Sequence, residues 1–70
     1  MELTIVERDR IGLLADVSAV LARSQVDIDT VFVDVNRARR AIVRVVLKPR
    51  AAGVAARALC QAGFKVSNYC

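Results

Sequence analysis

Asp9, Arg10 and Gly12 place a carboxylate, a guanidinium and a residue without a side chain in one short turn, just ahead of a change in hydrophobic period. A carboxylate at Asp9 is positioned to accept from the first free backbone N–H groups of a following helix. Glycine in a first helical turn costs about 0.5–1 kcal/mol relative to alanine, so Gly12 needs a reason. One reason is a tight strand-to-helix turn. The other is close approach of backbone or of a ligand, since helix N-termini attract anions. Further along, Asp27 and Asp29 alternate with β-branched residues, where they either blunt a sheet edge or face a ligand. Arg37, Arg39, Arg40, Arg44 and Lys48 form a basic stretch that reads as a solvated face, a docking surface or, less favoured, a nucleic-acid contact. Cys60 and Cys70 lack the close pairing of a zinc half-site and the chain has no His, so no metal centre is expected. No nucleophile and base are clustered, so neither an active site nor a cofactor is expected.

These residues are carried by six elements. Glu2 to Glu7 alternates as a strand, with Leu3 and Ile5 on one face. From Gly12 to Arg23 or Ser24 the spacing is helical: Leu14, Val17 and Leu21 form the stripe, flanked by Leu13 and Val20. Val26 to Val35 returns to a strand rich in β-branched residues. Asn36 to Arg39 reads as a hairpin turn, and Arg40 to Lys48 alternates with Ala41, Val43, Val45 and Leu47 on the core side. Pro49 opens a second helix with the stripe Ala51, Ala55, Ala58, Leu59 and Ala62, and Gly63 caps it in a left-handed conformation. Cys60 falls at the rim of that helix. Phe64 to Tyr69 is a last short strand. Strand–helix–strand twice over, with right-handed crossovers, predicts a ferredoxin-like α+β sandwich of βαββαβ order: an antiparallel four-stranded sheet with both helices on one face.

A chain of 70 residues is one domain, 1–70, and at this size a single core usually needs a disulfide, a metal or oligomerisation to help it. A disulfide between Cys60 and Cys70 is conceivable but has no framework behind it, and two scattered cysteines suit a reducing compartment, where they remain thiols. Together with the absence of a leader-like start and of any long apolar run, this predicts a cytoplasmic protein that does not enter membranes. Oligomerisation is then the expected source of extra stability. The strand from Val26 to Val35 lies at a sheet edge in this topology, and Val31, Phe32, Val33 and Val35 there invite pairing with a second copy. A homodimer or higher homo-oligomer is predicted. Residues 1–35 hold all seven acids and only three arginines, whereas residues 36–70 hold eight bases and no acid. Such a split either marks contact with a polyanion or makes one half complementary to the other, or to a neighbouring subunit. The chain's three aromatic residues, Phe32, Phe64 and Tyr69, lie outside the two expected central strands, which disfavours RNA binding by base stacking.

Three segments in this order resemble the ACT domain, a small regulatory module of enzymes of amino-acid metabolism: Asp9-Arg10-Ile11-Gly12-Leu13-Leu14-Ala15-Asp16-Val17, then Val26-Asp27-Ile28, then Ala62-Gly63-Phe64-Lys65-Val66. The resemblance runs from about Leu3 to Tyr69. It implies a module that binds an amino acid or similar small metabolite where two domains meet, and at this length the chain is expected to be a stand-alone one. Carried onto this chain, it points to Glu7, Asp9, Arg10, Ile11, Gly12 and Leu13 in the turn, with Asp27 across from them and Asp29 beside it. Free N–H groups around Ile11 to Leu13 would receive an α-carboxylate, and Asp9 and Asp27 an α-ammonium. Amino-acid-binding members often carry neutral amides or His where this chain has Glu7, Asp9 and Asp27, so a ligand carboxylate would need screening, with Arg10 nearest. Some members bind no ligand and only mediate assembly. That leaves a second expectation, a dimerisation module docking to a partner enzyme.

Overall fold

A computed structural model describes residues Met1–Cys70. Three strands and two helices follow in the order β1 (Glu2–Arg8), α1 (Leu13–Arg23), β2 (Thr30–Val35), β3 (Arg40–Val46) and α2 (Pro49–Gln61). The sheet is antiparallel with strand order β1-β3-β2, so β2 occupies an edge. Alternation sends Leu3 and Ile5 of β1 and Ala41, Val43 and Val45 of β3 inward, where they are buried with Leu13, Val17, Val20 and Leu21 of α1 and Ala52, Ala55, Ala56 and Leu59 of α2. No polar or charged side chain is buried. The opposite face, with Thr4, Val6 and Arg8 of β1 and Arg40, Ile42, Arg44 and Val46 of β3, carries no helix.

Local chemistry explains where the elements stop. After α1, Gln25 adopts φ 56°, its N–H donates to the Ala22 carbonyl at 3.0 Å, and the Val26 N–H donates to Leu21 at 3.0 Å. After α2 the same pair of bonds recurs around Gly63, φ 95°: Gly63 N–H to Cys60 at 3.1 Å and Phe64 N–H to Leu59 at 3.0 Å. Both helices therefore end in a Schellman motif, the second on the glycine expected there. The β2–β3 hairpin closes with Arg39 N–H donating to the Asn36 carbonyl at 3.1 Å and Arg39 left-handed at φ 59°, a turn followed by a bulge residue. The Asn36 side-chain oxygen accepts from Ala38 N–H at 2.9 Å and Arg40 N–H at 3.1 Å, which is why asparagine suits that corner.

Four expectations need correction. The sheet has three strands, not four. The segment expected as the last strand forms one bridge, Ile5 with Val66, flanked by bonds from Val6 N–H to Lys65 and from Ser67 N–H to Thr4 at 3.3 and 2.8 Å. Beyond it, Tyr69 and Cys70 N–H groups turn back to the Val66 carbonyl at 3.0 and 2.9 Å, and Asn68 is left-handed. Second, Cys60 and Cys70 form a disulfide, Cα–Cα 6.1 Å, which ties the tail to α2. With no free thiol in the chain, the cysteine argument for a reducing compartment falls. No helix is long and apolar enough to cross a membrane. Third, residues 26–29 are not strand; Val26 and Ile28 pack against the core from irregular backbone before β2 begins at Thr30. Fourth, each helix is rolled about its axis. Leu13 is buried while Leu14 is 44% exposed, and Ala52 and Ala56 are buried in place of Ala51 and Ala62.

Candidate functional site at the turn between β1 and α1

The turn before α1 is held open by backbone, not by a carboxylate cap. Gly12 is the N-cap residue, at φ 85° and ψ 0°, and no side chain accepts from the helix N-terminus. Asp9 is therefore not the helix cap expected of it. It is exposed, and its N–H donates to the Arg39 carbonyl at 2.8 Å, extending the ladder between β1 and β3. A methyl group built on Gly12 would meet nothing within 4 Å. Of the two reasons open for this glycine, the turn geometry is the one realised within the chain, because φ > 0 is readily open only to glycine.

An open cavity of about 320 Å³ lies beside this turn, between the start of α1 and the inner side of β2 and β3. Asp9, Arg10 and Gly12 form its polar end, while Leu13, Leu14, Val33 and Val43 form its apolar wall. The size is at the small end of ligand pockets. Leu13 N–H donates to the Arg10 carbonyl at 3.3 Å, and the N–H groups of Gly12, Leu14 and Ala15 have no acceptor in the chain. All three residues line the cavity. Unpaired first-turn N–H groups together with the helix dipole make an anion-receptive wall. Arg10 meets Asp16 at 2.8 Å across the first turn, with both side chains about half exposed. A cation thus stands at the mouth, balanced by one acid.

Of the residues the sequence singled out, Asp9, Arg10, Gly12 and Leu13 meet at this cavity. Ile11 is fully exposed. Glu7 points its carboxylate elsewhere: Oε2 accepts from Lys65 N–H at 2.9 Å and stitches the last segment to β1. Asp27 and Asp29 are exposed just before β2, and Asp29 N–H donates to the Val46 carbonyl at 2.9 Å. Val46 pairs with Glu2, whereas Asp9 follows Arg8, which pairs with Arg40. The two aspartates therefore sit at the far end of the sheet from the turn, roughly 20 Å away along the strands. Within one chain they do not share a site with Asp9. Sequence reasoning missed Leu14, Val33 and Val43, whose place at the cavity depends on how α1 rolls on the sheet.

The edge beside the cavity is apolar. Val33 and Val35 are 45% and 52% exposed, Phe32 is 45% exposed on the other face, and Val31 is half-buried. Arg44 lies over the Phe32 ring at 4.8 Å, a cation–π contact between paired strand residues.

The chain matches no family model and no curated protein sequence. Solved structures do match. The ACT domain of prephenate dehydrogenase from Bacillus anthracis superposes with a TM-score of 0.83 at 20% identity, over 94% of this chain and 99% of that one. A protein from Bacteroides thetaiotaomicron superposes with a TM-score of 0.77 at 27% identity, over 94% of this chain and 44% of that one. The chain therefore has the fold of an ACT domain.

Proposed function

We propose that this chain is a regulatory module, not an enzyme, and that it binds an amino acid or similar small metabolite at the β1–α1 turn, with a second copy completing the site. The observation that carries the reading is the cavity itself: unpaired N–H groups of Gly12, Leu14 and Ala15 at one end and an apolar wall of Leu13 and Val33 at the other. A small zwitterion matches that pattern. Its carboxylate fits the helix N-terminus, its side chain the apolar wall, and its ammonium the carboxylate of Asp9.

The β2 edge supports the second copy. Asn36 and Arg40 form a hydrogen-bonded pair, so alternation directs the backbone groups of Val31, Val33 and Val35 to the free edge. Antiparallel pairing of two such edges about Val33 would bring the start of one β2 beside the end of the other. Asp29 would then stand opposite Arg37 of the partner subunit, and Asp27 would come to the turn end of the partner. That arrangement unites Asp27 and Asp29 with Asp9 and Gly12 across two copies, which one chain alone does not do. A ligand bound there regulates by favouring one assembly over another.

Amide NMR titration with the proteinogenic amino acids tests this. The expected result is saturable movement of Gly12, Leu13 and Leu14 together with Asp27 or Asp29 for one ligand class. Absence of movement with every amino acid overturns the sensor reading. The exposed Leu14, Val33 and Val35 would then favour the second reading, a ligand-free assembly module that docks to a partner enzyme.

A further inference from the structure

Arg8 and Arg40 stand directly opposite one another in the β1–β3 ladder. Both belong to the helix-free face, on the other side of the sheet from the cavity at Gly12. Like charges at opposed positions work against the pairing that holds them. Neither is in an ion pair, because the chain's one ion pair joins Arg10 and Asp16; the nearest acid on that face is Asp34, opposite Ile42 and one step diagonal from Arg40. Arg39 adds a third guanidinium, and Arg8, Ala38, Arg39 and Arg40 line an open cleft of about 310 Å³.

The backbone beneath the cleft is fixed. The Arg39 carbonyl accepts from Asp9 N–H at 2.8 Å, its N–H donates to Asn36 at 3.1 Å, and the Asn36 side chain holds the N–H groups of Ala38 and Arg40. Two opposed cations on a braced turn are arranged for an anion that neutralises both at once. A carboxylate carries one charge. A phosphate dianion carries two, and its oxygens match the guanidinium fork in bidentate fashion.

We propose that Arg8, Arg39 and Arg40 form a binding site for a phosphate dianion, either free phosphate or the phosphate group of a small monoester. A polynucleotide fits the same face less well. Strands β1 and β3 offer it Thr4, Val6, Ile42, Arg44 and Val46 and no aromatic ring, and Phe32 is already covered by Arg44 at 4.8 Å.

The test is an amide NMR titration of the labelled chain with inorganic phosphate, then with glycerol 3-phosphate, chloride holding ionic strength constant. The expected result is saturable movement of Arg8, Arg39 and Arg40, with Gly12 and Leu14 unmoved. Arg8→Gln and Arg40→Gln each weaken binding about tenfold or more, as loss of a charged hydrogen bond requires, while Arg57→Gln on α2 leaves it unchanged. Equal affinity for the two probes identifies free phosphate as sufficient; tighter binding of the ester identifies a monoester. Without phosphate, Arg8→Gln raises the thermal midpoint because the opposed charge is gone, so the variant is folded when its binding is read. Shifts that grow linearly without saturating, or an equal loss in Arg57→Gln, overturn the site. A single-stranded oligonucleotide that displaces phosphate and moves Thr4, Ile42 and Phe32 overturns the small-anion assignment in favour of a nucleic-acid surface.

Discussion

Reducing the Cys60–Cys70 disulfide should have a large effect on this small fold. The bond closes a loop of sequence separation 10, for which the chain-entropy relation gives a stabilisation of about 2.7 kcal/mol. Packing adds little, since Cys60 is half-buried and Cys70 exposed. Unfolding entropy for a chain of 70 residues is about 0.15 kcal/mol per kelvin, so the midpoint should fall by roughly 18 °C. Thermal unfolding followed by circular dichroism, with and without a dithiol reductant, reads this directly. The Cys60→Ser/Cys70→Ser double variant should unfold at the midpoint of the reduced chain and be indifferent to reductant. Hydrogen exchange supplies a local readout: the Tyr69 and Cys70 amides, bonded to Val66, should lose protection, while those inside β3 keep theirs relative to global unfolding. A midpoint that moves by less than about 3 °C, far below the chain-entropy value, would refute the reasoning. It would mean that the bonds of Lys65, Val66 and Ser67 to β1 hold the tail without the disulfide.

Three further outcomes follow from the backbone and the core. Gly12→Ala should destabilise by about 0.5–1 kcal/mol, the left-handed cost less the gain from a stiffer unfolded chain. Its Cβ meets nothing within 4 Å, so a neutral result in denaturant unfolding would contradict the φ of 85°. Gln25→Gly should do the reverse and stabilise by a similar amount, about 0.5–1 kcal/mol, because Gln25 holds the equivalent left-handed position after α1 at φ 56°; a loss of stability would refute that cap. Leu13→Ala should cost about 2–3 kcal/mol and Leu14→Ala under about 0.5 kcal/mol, since the first is 4% exposed and the second 44%. Equal costs in a urea titration would mean that α1 is rolled differently.

Much of the architecture is legible in one dimension because it rests on local rules. Alternation from Ala41 to Leu47 marks one buried face whatever covers it. Pro49 and Gly63 bound α2 through their own backbone preferences, and Asn36 to Arg39 is a turn by composition and side-chain bonding. The turn beside the cavity was legible to the same depth. Gly12 needed an unusual backbone, Asp9, Arg10 and Leu13 were its neighbours in the chain, and all four reach the cavity.

What sequence left open are choices among near-equal local solutions. Leu13 and Leu14 differ by 100° around α1, and both fit a helical stripe; only tertiary packing buries the first and leaves the second 44% exposed. Cys60 and Cys70 carry no spacing signal. They meet because the Gly63 turn folds the tail back toward α2, in a chain whose expected fourth strand is a single bridge at Val66. Asp9 and Asp27 read as one site in a line of residues, yet strand direction sets them at opposite ends of a sheet. Likewise Arg8 and Arg40, 32 positions apart in the chain, become opposed charges only through register. Period, caps and turns are decided over a few residues of chain; register, helix roll and cross-links are decided by surfaces that meet only when the chain has folded.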